Sequence, residues 1–119
     1  MLMTSLRALV IAIALVLGSC ATTGDVMQRA AAAQFASAKP AAAVSGCIAP
    51  RMLHNWGESK VVPSGAGPMI VVSGSSWGDP VAIIDVQPAA SGSQVSIRRG
   101  AMVSDKVFDG IVRTAQACR

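Results

Sequence analysis

The sequence has no tyrosine and very few other large rings: two phenylalanines and two tryptophans in 119 residues. It has one histidine, His54, and six acidic residues scattered along the chain. No basic run is longer than Arg98-Arg99. Each scarcity removes a class of function. A nucleic-acid surface needs clustered cations and aromatic platforms, and neither is present. A zinc site of the usual composition needs several closely spaced Cys or His ligands, and one histidine among dispersed cysteines does not supply them. No carboxylate pair stands out for acid–base work, and Gly65-Ala66-Gly67 lacks the rest of any phosphate-binding motif. The expectation is therefore no cofactor, no metal and no nucleic-acid partner. An apolar run of about twenty residues, the length of a membrane span, is also missing.

What is present begins at the amino terminus. Arg7 precedes Ala8-Leu9-Val10-Ile11-Ala12-Ile13-Ala14-Leu15-Val16-Leu17, a run without a polar side chain. A positive start followed by about ten apolar residues has the form of a secretory signal peptide. The run ends in Leu17-Gly18-Ser19-Cys20. That tetrad resembles the lipobox of bacterial lipoproteins, an aliphatic residue and two small residues before a cysteine. The resemblance covers the first twenty residues only. It implies a diacylglyceryl group on Cys20, cleavage before it, and a fatty acid such as palmitate on the new amine. An ordinary secretory signal cut near Ser19 or Ala21 is the alternative. Ala21, rather than an aspartate, implies by the same resemblance a place on the periplasmic face of the outer membrane. Two or more acyl chains make such an anchor stable.

Three cysteines is an odd number for an exported chain. If Cys20 carries lipid, as the resemblance implies, Cys47 and Cys118 remain as a pair in an oxidising compartment. Joined, they would close a loop of about seventy residues, worth roughly 4 kcal/mol of chain entropy. Two free buried thiols are the alternative.

The domain plan follows: a signal peptide over residues 1–19, a lipidated alanine-rich tether over 20–40, and a small periplasmic domain over 41–119. Alanine has the highest helix propensity, so Asp25 to Ala38 is expected to form a transient helix or to stay disordered. Val44, Cys47, Ile48, Met52 and Trp56 fall near helical spacing, although Pro50 should kink the helix or mark its start. The pattern then changes to short apolar strands around Val61-Val62, Met69-Ile70-Val71-Val72, Val81 to Val86 and Gln94 to Arg99, separated by Gly, Pro and Ser. Apolarity on both faces puts Val81 to Val86 in the middle of the sheet. Ser104 is a suitable N-cap for a last helix, with Asp105 in its first turn. Val107, Phe108, Ile111, Val112, Ala115 and Cys118 would form that helix's apolar face. The expected fold is α+β: a three- to four-stranded antiparallel meander with an N-terminal and a C-terminal helix on one face.

Gly74-Ser75-Ser76-Trp77-Gly78 matches the G-x-S-x-G nucleophile elbow in letters only. The elbow must run straight into a helix, and Asp79-Pro80 forbids one. The expectation is no enzyme. Trp77 lies in a polar loop that core packing does not explain, so it is a candidate contact for a protein partner. Arg98 and Arg99 are candidates for an anionic partner, with an ordinary solvated edge strand as the alternative reading. Asp85 is expected to pair with one of them, and Trp56 is expected in the core. The function these features suggest is a lipid-anchored envelope protein that binds a protein partner or supports the envelope. A small inhibitor, of the kind some bacterial lipoproteins present to lysozyme, is the alternative.

Overall fold

Alternation decides the centre of the molecule. In Gln94-Val95-Ser96-Ile97-Arg98, every second side chain is apolar, so one face of the strand turns inward. Val95 and Ile97 are buried and the polar set faces the other way. The computed structural model describes residues 23–73 and 80–119. The lipobox with Cys20 and the loop with Trp77 lie outside these residues.

The described elements are α1 (Thr23–Met27), β1 (Ala33–Ser37), α2 (Ala41–Trp56), β2 (Glu58–Ser64), β3 (Gly67–Ser73), β4 (Pro80–Ala89), β5 (Gly92–Arg99) and α3 (Asp105–Gln116). The strands form one antiparallel sheet in the order β1-β5-β4-β3-β2. The meander from β2 to β5 is the expected one. The fifth strand is not. β1 pairs with β5 from Ala33↔Ile97 to Ser37↔Ser93, and the Ala32 amide extends the ladder by donating to the Ile97 carbonyl at 2.9 Å.

Residues 33–37 are thus a sheet strand and not the tail of a transient helix, and the folded unit begins well before residue 41. Alanine's local preference for helix is worth under about 1 kcal/mol per residue. Pairing to β5 and burial of Phe35 outweigh it. The turn that follows is locked by side chains. Ser37 Oγ accepts from the Lys39 amide at 3.1 Å, and the Ser93 hydroxyl donates to the Lys39 carbonyl at 2.9 Å. Gly92, at φ 141°, lies against the Ser37 carbonyl, where a Cβ would collide with backbone.

Both long helices cover one sheet face, as expected. Val44, Ile48 and Met52 of α2, spaced four apart, meet Ile70, Val72, Ile84 and Val86 of the sheet. Phe108, Ile111 and Ala115 of α3 join the same core. α2 runs through Pro50 as a single helix. Proline's missing donor would have met the carbonyl of Gly46, and both residues lie on the exposed side of α2, where water can take that place. α3 starts as anticipated: Ser104 Oγ accepts from the Val107 amide at 3.3 Å.

The opposite face, called the outer face below, is closed in part by α1. Val26, only 1% exposed, packs on Met69 and Ile83, with Met27, Val62 and Val71 around them. This explains the two-sided apolarity of β4. Ala82, Ile84 and Val86 point to the long helices and Ile83 points to α1; each is fully buried.

Candidate functional site

Cys47 on α2 and Cys118, just past α3, are bonded, with Cα atoms 5.8 Å apart and a sequence separation of 71. Cys118 is fully buried. The bond joins the two long helices over the sheet.

A second joint reinforces the first. Trp56, at the end of α2, lays its ring on Gly110 of α3; a Cβ there would stand 2.6 Å from Trp56 Cη2 and 2.7 Å from Cζ2. The indole N–H donates to Thr114 Oγ1 at 3.4 Å, and the Thr114 hydroxyl donates to the Gly110 carbonyl at 2.8 Å. Trp56 is half-buried against the core, so its expected core place is met at the rim. Sequence reasoning missed Gly110 and Thr114. The available signal was a glycine inside an otherwise regular helix, which points to a close approach by another group.

The two arginines point to opposite faces. β5 lies inside the sheet, between β1 and β4, so neither residue is on an edge strand. Arg98 reaches over the outer face, where its Nε donates to the Arg29 carbonyl at 3.1 Å. Its Nη1 stands 4.0 Å from Asp85 Oδ2, the ion pair expected of Asp85, at a distance too long for a hydrogen bond. Asp85 Oδ1 accepts from Gln87 Nε2 at 2.6 Å, and the same nitrogen donates to the Ser64 carbonyl at 2.8 Å. Arg99 turns to the helix side. It donates to the Val103 carbonyl at 2.6 Å, meets Asp105 at 2.6 Å and lies over the Phe108 ring at 5.5 Å. Arg99 therefore clasps the β5–α3 connection. Asp105 is 86% exposed, so solvent screens that pair, and the bond to the Val103 carbonyl with the ring contact carries more of the clasp. Arg99 is thus engaged within the fold, and Arg98 is held through Nε while its buried Nη1 has Asp85 near it but no hydrogen-bond partner among the described residues.

Two of the surface depressions among the described residues lie beside α2 on the helix side. One, of about 400 Å³, lies between α2 and α3 and is lined by Trp56, Val107, Gly110 and Thr114, with Lys106 and Arg113 at its rim. The other, of about 670 Å³, runs between α2 and the β2–β3 hairpin, lined by small apolar residues such as Ala41, Ala49, Val61 and Pro68. His54 lies exposed in the last turn of α2. Among the described residues no group of three His, Cys, Asp or Glu side chains gathers as metal ligands would. No described helix is long and apolar enough to cross a membrane. The surface can offer shape, apolar contact and a cationic rim.

Comparison of the chain with protein-family models, with curated proteins and with solved structures finds no match.

Proposed function

We propose that the chain is a non-enzymatic, lipid-anchored protein of the bacterial cell envelope, whose small domain binds a protein partner or supports the envelope. The observation that carries the reading is the use of cysteine. The chain has three, and Cys47 and Cys118 are bonded to each other. Cys20, at the end of the lipobox, is the one left for lipid. A disulfide across the long helices also suits an oxidising compartment such as the periplasm.

The test is direct. In an expressing cell, Cys20→Ser should abolish fatty-acid labelling and move the protein from the membrane to the soluble fraction. Labelling that persists would overturn the anchor. With Arg98 partly buried and tied to the Arg29 carbonyl, and Arg99 held by Val103 and Asp105, Trp77 is the first residue to test at the partner surface. In crosslinked pull-downs from intact envelopes, Trp77→Ala should weaken capture of the partner by tenfold or more, the usual scale of a tryptophan hot spot (about 2 kcal/mol). Undiminished capture of every partner would remove Trp77 from the reading.

A further inference from the structure

The anchor and the fold together constrain how the domain sits. A long tether over residues 20–40 would let it stand off and tumble. The structure removes most of that length. β1 is a strand of the sheet, the Arg29 carbonyl is held by Arg98, and Val26 of α1 is buried on the outer face against Met69 and Ile83. α1 begins at Thr23, three peptide links after Cys20. Three links span at most about 10 Å, even fully extended. We propose that, in the lipidated protein, the outer face of the sheet is held against the bilayer surface and the layer of α2 and α3 faces away from it. This rests on lipidation of Cys20, as proposed above.

The occupant of the outer face is then the headgroup layer of the membrane that holds the lipid. The choice follows from chain length: the helix that begins at residue 23 is packed on this face through Val26, and the anchor cannot be farther away than the leash allows. The exposed remainder of the face is polar, with Gln34, Gln94 and Lys60 beside the covered apolar patch. Such a surface suits contact with hydrated headgroups and gives no reason for insertion into the acyl layer. Its charges also balance. Arg29, Lys60 and Arg98 are offset by Asp25, Glu58 and Asp85. The leash, rather than attraction to anionic lipid, sets the orientation. One consequence reaches the proposed function: both depressions and the exposed Leu53, 59% exposed on α2, are presented to whatever lies away from the membrane.

Energy transfer on the full lipidated chain, reconstituted in phosphatidylethanolamine–phosphatidylglycerol vesicles with acceptor-labelled headgroups, tests this. A donor is attached through a clickable, thiol-free residue at Gln34 on the outer face, or at Leu53 on the helix layer. The two sites are separated by at least one helix, about 10 Å across. Transfer from position 34 should exceed transfer from position 53. The difference should survive about 1 M salt, where the Debye length is about 3 Å. It should shrink when about ten Gly and Ser residues are inserted after Cys20, because that linker has an r.m.s. span of about 17 Å. Vesicle-bound protein with equal transfer from both sites would overturn the orientation and leave the anchor intact. A difference that collapses in salt would assign the orientation to charge and overturn the leash argument. Protein that fails to bind the vesicles, and carries no lipid by mass, would overturn the anchor and the orientation with it.

Discussion

Replacing both Cys47 and Cys118 by alanine should lower the stability of the domain by about 4 kcal/mol. The structure sets the magnitude. The bond closes a loop with a sequence separation of 71. The chain-entropy relation for such a loop gives about 4 kcal/mol at 25 °C, chiefly through the unfolded state. A domain of this size has a total stability of about 5–15 kcal/mol, so the variant should still fold at 25 °C but with a much smaller margin. Trp56 on Gly110 and the indole bond to Thr114 still join the helices, so the native arrangement should persist. Urea titration followed by circular dichroism measures the effect. With a slope of about 1–1.5 kcal/mol/M, the midpoint should fall by roughly 3 M. The slope itself should rise, because an unfolded chain without the cross-link exposes more surface. Reduction of the wild type with dithiothreitol should reproduce both changes. A loss below about 1 kcal/mol, with an unchanged slope, would refute the reasoning and show that the cross-link does not restrict the unfolded chain.

Three further outcomes follow from packing. Gly110→Ala gains helix propensity of up to about 1 kcal/mol but drives its methyl into the Trp56 ring; a net loss of about 1–2 kcal/mol is expected, and most of it should vanish in a Trp56→Ala background, as a double-mutant cycle would show. Phe35→Ala should cost about 3–5 kcal/mol and raise amide exchange at Ala32, which is otherwise bonded to Ile97; exchange unchanged there would contradict the role of Phe35 in holding β1. Ser104→Ala should remove the cap on the Val107 amide and cost about 1 kcal/mol in thermal melts.

The elements most legible in the sequence were those where local and tertiary forces agree. In α3 a capping serine, an apolar stripe and a polar stripe all point to one helix, and that helix is present. In β4 the apolar run requires burial on both faces, and the strand is buried on both. The pairing of Cys47 with Cys118 followed from an odd cysteine count together with the lipobox resemblance. These signals lie within a few residues of one another or in simple composition.

Only the tertiary structure decided the rest. Ala33 to Ser37 carries a helix-favouring composition and becomes a strand, because β5 offers an open edge and the core has a place for Phe35. α1 is too short to hold itself, and its position depends on a sheet face built from β2, β3 and β4, all far along the chain from Val26. Arg98 and Arg99 are adjacent in sequence, yet the pleat sends one to each face. Long-range pairing and side-chain direction are not written in any local window. They determine that an alanine-rich segment readable as a tether is instead part of the fold, and so how short the link to Cys20 is.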